Sequence, residues 1–283
     1  MNKRNPEVVI ISDVHLGTFG CRAKELSNYL SSIRPRILVL NGDIIDIWQF
    51  NKRYWPKSHM QVIKQLTEMM LDGVQVHYIT GNHDEMLRKF TGFQLANLSI
   101  TNKLMLHLDG KDCWIFHGDV FDVTMKHSKW LAKLGAVGYD TLILLNAFIN
   151  YISKKFGSGK ISLSKKIKNS VKTAIAFINN FEDTAAGIAI DKGYDYVICG
   201  HIHQPAQRIV KNHKGQTTYL NSGDWIENLT ALEYDNNEWT IYHYNEKYFE
   251  QSHEYNTCAY GTAYINTQQL FHNLIKEFEL QHI

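Results

Sequence analysis

Five short motifs in this 283-residue chain end in side chains able to hold a divalent cation. They are Asp13-Val14-His15, Gly42-Asp43, Gly81-Asn82-His83-Asp84, His117-Gly118-Asp119 and Gly200-His201-Ile202-His203. Carboxylate oxygen, amide oxygen and imidazole nitrogen together suit borderline ions such as Mn, Fe, Zn or Co. Cysteine is absent from all five motifs, which argues against a closed structural zinc site. Taken singly, Asp-x-His or His-x-His is usually a loop or core accident, and Gly-Asp after a strand is usually a turn. In series they supply Asp13, His15, Asp43, Asn82, His117, His201 and His203, enough donors for two cations. Two such ions, roughly 3.5–4 Å apart, clamp the attacking and leaving oxygens of an in-line displacement and bring the pKa of bound water down to about 7. One bridging carboxylate, Asp43, is sufficient to join them. Asn82 adds an oxygen ligand without adding charge. His83 titrates in the range that proton transfer near neutral pH requires. Asp84 and Asp119 either orient neighbouring histidines, as outer carboxylates do, or cap their own loops.

The motifs need elements that bring them to one place. VVIIS precedes Asp13, ILVLN precedes Gly42, VHYIT precedes Gly81, WIF precedes His117 and YVIC precedes Gly200. Short runs rich in Val and Ile predict buried strands, so the motifs sit where strands stop. In open α/β sheets, sites form beyond the carboxyl ends of strands. The pattern predicts strands over 7–12, 36–41, 74–80, 104–108 and 112–117. It predicts helices over 22–33 and 57–72, the second opened by Pro56 and closed near Gly73. From 196 onward the chain returns to strands: YVIC, QRIVK, TTYLNS, LTALEY and EWTIYHY. The last two flank Asp235-Asn236-Asn237, a hairpin turn. Beyond 266, Leu270, Phe271, Leu274, Ile275 and Phe278 recur at helical spacing and predict an amphipathic helix in a tail over 251–283.

Composition describes a globular chain, 44% hydrophobic and 20% charged. Cys21, Cys113, Cys199 and Cys258 show no ligand spacing, which suggests a reducing compartment. The first strand begins by Val8, leaving no room for a signal peptide. No apolar run approaches the roughly 18 residues of a membrane span. The expected location is therefore the cytoplasm.

The interval between His117 and Asp195 is the second informative feature. Residues 130–156 carry a wide apolar set, including Trp130, Leu134, Tyr139, Leu144, Phe148 and Phe156, so a helix there needs cover on more than one side. Residues 126–172 hold ten Lys and one acidic residue, Asp140, a local charge of 10 − 1 = +9 in a chain whose net charge is only +2. A greasy, basic helical insertion at about 122–190 has three readings: a cap or dimer interface, a holder of acyl chains and phosphate, or a contact with an anionic membrane surface. Nucleic acid is not expected, because the aromatics fall at helical core spacing rather than on a basic sheet.

The order and wording of the five motifs resemble the calcineurin-like metallophosphoesterases. That resemblance implies an α/β fold, a four-layer αββα sandwich, with the helical insertion as a lid, in one domain over 1–250. It implies that Asp13, His15, Asp43 and His203 hold one metal. Asp43, Asn82, His117 and His201 would hold the other, with Asp43 bridging; Mn is the expected ion and Fe, Zn or Co the alternatives. His83 would be the acid near the leaving group, with Asp84 beside it in the catalytic set. Gly42-Asp43-Ile44-Ile45-Asp46-Ile47-Trp48 narrows the resemblance to the UDP-2,3-diacylglucosamine hydrolases of lipid A biosynthesis, as do Gly200 to Pro205 and Gly223-Asp224-Trp225. The implied substrate is a nucleotide-linked glycolipid, and the implied location is peripheral to the inner membrane. The chain departs from the best-known of these enzymes at His83, where they carry Arg. The alternative is a dinuclear-metal phosphodiesterase or phosphatase for another nucleotide or lipid phosphate. A non-enzymatic scaffold fits poorly, because no ligand type is missing.

Overall fold

In the computed structural model, which describes residues 3–48, 54–122 and 163–249, alternation along short strands decides the architecture. In β1 (Val8–Ile11) and β2 (Ile37–Asn41), Val9, Ile11, Leu38 and Leu40 face one side and Val8, Ile10, Ile37 and Val39 the other. Both sets are buried, which requires cover on both faces. On the first face lie α1 (Ala23–Ser31) and α2 (Lys57–Leu71), which contribute Leu26, Tyr29, Leu30, Val62, Leu66 and Met69. On the second face lies another sheet.

The larger sheet holds β1, β2, β3 (Gln75–Ile79), β4 (Gln94–Leu95), β5 (Leu98–Thr101), β11 (Thr230–Asp235) and β12 (Glu238–His243). Its order is β12-β11-β1-β2-β3-β5-β4. The second holds β6 (Leu104–Leu108), β7 (Lys111–Ile115), β8 (Tyr196–Cys199), β9 (Ala206–Asn212) and β10 (Gly215–Asn221), in the order β6-β7-β8-β10-β9. Val8, Ile10, Val39, Ile79, Cys113, Ile115, Ile198, Leu220 and Trp239 fill the space between the sheets. The far face of the second sheet presents Val197, Cys199 and Tyr219 to α3 (Leu163–Lys192). Phe181, Ala185, Ala186 and Ala189 of α3 are buried there, and the small alanines let helix and sheet approach closely. The result is the expected αββα sandwich. Within it, the C-terminal part of the insertion expected at about 122–190 packs on the second sheet as an outer layer of the sandwich. The rest of that insertion, over 123–162, lies outside the described residues, as does the helix expected in the tail over 251–283.

The chain divides into two units, Met1–Tyr244 and Asn245–Ile283, six residues short of the boundary expected after 250. Among the described residues no helix is long and apolar enough to cross a membrane. Elements not anticipated include β5, the edge strand β4 beside it, and a 3-10 helix over Glu85–Phe90. Asn236 and Asn237 both take positive φ, 50° and 65°, as the expected hairpin turn demands.

Register sets the site. β1, β2 and β3 run parallel, with Ile10 opposite Val39 and Leu40 opposite Tyr78. β7 and β8 also run parallel, with Ile115 opposite Ile198. Each of these five strands ends two or three residues before an expected metal ligand.

Candidate metal centre

Asp13, His15 and His203 bring ligand atoms within 4.8 Å of one another, as do Asp43, His117 and His201. A third group, His15, Asp43 and His83, overlaps both. Asp43 thus belongs to two of the three groups, and His15 links it to the Asp13 group. Nε2 of His117 lies 3.2 Å from Oδ2 of Asp43, and Nε2 of His203 lies 3.2 Å from Oδ1 of Asp13. Oδ1 of Asn82, on the loop after β3, is buried as well.

Several candidate ligands are fixed by their other atoms. His117 donates from Nδ1 to the main-chain O of Asn41 at 2.8 Å, which leaves Nε2 for the site. Asp13 accepts the His201 amide on Oδ2 at 3.0 Å, and Asp43 accepts the His83 amide on Oδ1 at 2.8 Å. The main-chain O of Asp43 takes the amides of Val14 and His15 at 3.0 and 2.9 Å. Asp13, His15, Asp43, His201 and His203 all lie in the left-handed region, at φ between 52° and 67°. Such a conformation costs a non-glycine residue about 1–2 kcal/mol, so five in one cluster mark a backbone bent to aim side chains. Gly81 has a different task. A Cβ there would overlap the Asp43 carboxylate, so glycine leaves room for the bridging ligand of the neighbouring loop.

The donor set fits divalent cations. Nε2 of His15 and Oδ1 of Asn82 are buried without a hydrogen-bond partner, while Oδ1 of Asp13 and Nε2 of His117 face His203 and Asp43 at 3.2 Å. Leaving a buried polar atom unsatisfied costs about 1–3 kcal/mol, a penalty that a bound ion would relieve. Electrostatics agree. Burial opposes charge on Asp13, but His203 and His117 outweigh it and hold the carboxyl below its usual pKa. Burial likewise opposes charge on Asp43, and His117, His15 and His83 outweigh it and hold that carboxyl below its usual pKa. In return, and against the effect of burial, Asp43 and Asp13 raise His117 well above the ordinary imidazole value, and Asp13 lifts His203 to about 9. Carboxylates and imidazoles thus favour each other's charged forms across the site.

The acid candidate, His83, is half-buried and donates from Nδ1 to Oδ2 of Asp46 at 2.8 Å. The same oxygen lies 3.2 Å from Nδ1 of His15. Asp46, to which no role was assigned from the sequence, is therefore the carboxylate that orients histidines here. Burial disfavours a charged His83, yet Asp46 and Asp43 outweigh it and raise its pKa. Asp84 was expected beside His83 in the catalytic set. Its hydrogen bonds run instead to the amides of Gly81 and Ile44, at 2.6 and 3.0 Å, and to the hydroxyl of Tyr78 at 2.6 Å. Buried and committed to those donors, it braces the Asn82 loop. Asp119 pairs with Arg88. Asp224 caps the following turn by accepting the amides of Ile226 and Glu227, and Asn228 ties that turn to the main-chain O of His203 at 2.8 Å.

The family whose sequence model matches residues 6–205 is described as "Calcineurin-like phosphoesterase". A "UDP-2,3-diacylglucosamine hydrolase" from Aliivibrio fischeri is 23% identical over 254 residues, covering 86% of this chain and 99% of that protein. Another of that name, from Blochmanniella pennsylvanica, is 22% identical over 242 residues, covering 80% and 91%. Among solved structures, an archaeal phosphodiesterase is 13% identical with a TM-score of 0.43, covering 83% of this chain and 98% of that chain.

Proposed function

Because this chain belongs to the calcineurin-like phosphoesterase family, we propose that it hydrolyses the pyrophosphate of UDP-2,3-diacylglucosamine, giving UMP and a lipid monosaccharide phosphate. Asp13, His15, Asp43 and His203 would hold one cation; Asp43, Asn82, His117 and His201 would hold the second, with Mn as the expected ion. When bound, two such cations supply positive charge against the phosphoryl oxygens and make the attacking water more acidic. The protein's own residues do the rest. Asp43 sets the spacing between the two ligand groups. Asp46 holds Nδ1 of His83, so Nε2 carries the exchangeable proton. As the phosphorus–oxygen bond to the leaving phosphate breaks, Nε2 protonates the departing oxygen.

The support for this substrate is the pairing of that site with relatives so named that align over nearly their whole length. Exposed aromatics beside the site fit a substrate with apolar and planar parts. Trp48 is 60% exposed, and its ring centroid lies 5.4 Å from that of His83. Phe19, 84% exposed, stacks on Tyr54. The apolar, basic stretch over 126–172 would meet acyl chains or an anionic membrane surface, which suits a cytoplasmic protein peripheral to the inner membrane. A second reading, a phosphodiesterase or phosphatase for another nucleotide or lipid phosphate, is favoured by His83 standing where the resembled enzymes carry Arg.

The deciding experiment compares Mn-dependent turnover of diacylated UDP-glucosamine with that of simple nucleotides and cyclic dinucleotides. The proposal expects the glycolipid to lead by orders of magnitude in kcat/KM. A cyclic dinucleotide or simple nucleotide turned over faster would replace it with the second reading. No hydrolysis of any phosphoester would sink both.

A further inference from the structure

An ion pair joins two ligand loops that come from different sheets. Arg88 lies in the 3-10 helix Glu85–Phe90, directly after the Asn82 loop that follows β3. Asp119 lies two residues past His117, in the loop that follows β7. Nη2 of Arg88 donates to Oδ2 of Asp119, and the same Nη2 lies 3.4 Å from the main-chain O of Gly81. The pair is partly shielded, with side-chain exposures of 37% for Arg88 and 11% for Asp119. Nε of Arg88 is buried with no hydrogen-bond partner.

As a stabilising device this arrangement is poor. A partly exposed ion pair contributes about 0–1 kcal/mol, while an unsatisfied buried donor costs about 1–3 kcal/mol. Geometry is what it does secure. The Asn82 loop is tied within its own sheet, because Asp84 takes the amides of Gly81 and Ile44 and Asp43 takes that of His83. His117 is aimed by its bond to the main-chain O of Asn41. The guanidinium of Arg88 adds a direct link from the Asn82 loop to the His117 loop. It is planar and rigid, so it fixes both distance and orientation as an ammonium on a flexible stem cannot.

We infer that the Arg88–Asp119 pair is a positioning device that sets the separation of Asn82 from His117, and with it the affinity of the second cation. The inference rests on the two-cation reading above. Outer partners of metal ligands typically carry about 10–100-fold in metal affinity, and this pair joins the two loops that carry Asn82 and His117. It leaves the Asp13–His15–His203 group untouched.

The test uses the full-length protein stripped of metal, as wild type, Arg88→Gln, Asp119→Asn and Arg88→Lys. Calorimetric titration with Mn²⁺ gives stoichiometry and the two affinities. Electron paramagnetic resonance at two equivalents distinguishes a spin-coupled pair from isolated ions. Melting of the metal-free protein reports any general loosening. Wild type should bind two equivalents. Arg88→Gln and Asp119→Asn should keep the first affinity, weaken the second by about 10–100-fold and lose the spin-coupled signal, with little change in metal-free melting. Arg88→Lys should recover only part, since it keeps the charge without the fork; it also serves if a neutral variant fails to fold. Two equivalents bound with wild-type affinity in all variants would overturn the inference alone. So would a parallel fall in both affinities and in metal-free melting, the mark of a merely structural tie. A wild type that binds fewer than two equivalents would overturn the two-cation reading and the inference with it.

Discussion

Replacing Gly81 by alanine adds one methyl group and should disable the centre without touching a ligand. A Cβ at this position overlaps Oδ1 of Asp43 and comes within 2.7 Å of the Asp43 main-chain N and 2.9 Å of its Cγ. Ordinary contact begins near 3.4 Å, so Asp43 must retreat by roughly 0.7 Å or more. It has little freedom to do so. Its Oδ1 holds the His83 amide, its main-chain O holds the amides of Val14 and His15, and its φ is 54°. Overpacking of this kind costs about 1–3 kcal/mol of stability, or about 2–4 °C of melting temperature per kcal/mol in a domain of this class. Displacing the bridging carboxylate costs more in function, since about 1 Å of misplacement can cost about 10²-fold in rate. Gly73→Ala is the control. Gly73 has φ +90° and nothing within 4 Å of its would-be Cβ, so alanine there adds backbone strain, about 1–2 kcal/mol, and no collision. Both variants should melt several degrees lower; only Gly81→Ala should also lose Mn²⁺ affinity and turnover. Wild-type metal affinity and rate in Gly81→Ala would refute the reasoning, as would equal metal loss in Gly73→Ala.

Asp43→Asn should lower the affinity for both ions together, because it removes the shared negative charge, and turnover should follow metal content; two tightly bound ions with a normal rate would remove Asp43 from the bridge. His83→Ala should keep its metals and lose about 10²–10⁴-fold in rate, with a smaller deficit for substrates with good leaving groups. Metal loss in that variant would make His83 a ligand, as its closeness to His15 and Asp43 allows. Asp46→Asn should resemble His83→Ala in rate and weaken the His15 cation as well, since one carboxylate oxygen serves both rings. Metal affinity should rise with pH. His203 holds a proton up to about 9 in the metal-free protein, and a cation must expel it. Below that pH the affinity should fall by up to about tenfold per unit for this proton alone, and His117, also raised, steepens the slope. The metal-free fold behaves oppositely. A histidine raised in the folded state stabilises fully below its ordinary value near 6.5, and that contribution fades as pH climbs through 9. Competition titrations and metal-free melting across that range check both signs; flat profiles would refute them.

The positions of the candidate ligands were legible because each follows a parallel strand whose apolar run is unmistakable, so type and position spoke together at Asp13, Asp43, Asn82, His117 and His201. What lies outside such runs was not. Gln94–Leu95 and Leu98–Thr101 sit at the sheet edge, exposed or half-exposed, and carry no apolar block to announce a strand. Ala185, Ala186 and Ala189 give α3 its fit against Val197 and Cys199, yet that preference for close packing is invisible until the sheet is known. The carboxylate that meets His83 was hidden for the same reason. Asp84 and Asp46 are both buried carboxylates near His83, and only the three-dimensional donors decide which one faces an imidazole. Sequence neighbours pointed to Asp84; the fold gave it the Gly81 and Ile44 amides and the Tyr78 hydroxyl first. Once those three donors are taken, it has no geometry left for His83, and Asp46, one turn beyond Asp43, supplies the carboxylate. The left-handed backbone at Asp13, His15, Asp43, His201 and His203 extends the argument. None of these residue types demands that conformation, so spacing alone could not foresee it. The interlocking amides impose it, and the same bonds that strain the loops are the ones that aim the ligands.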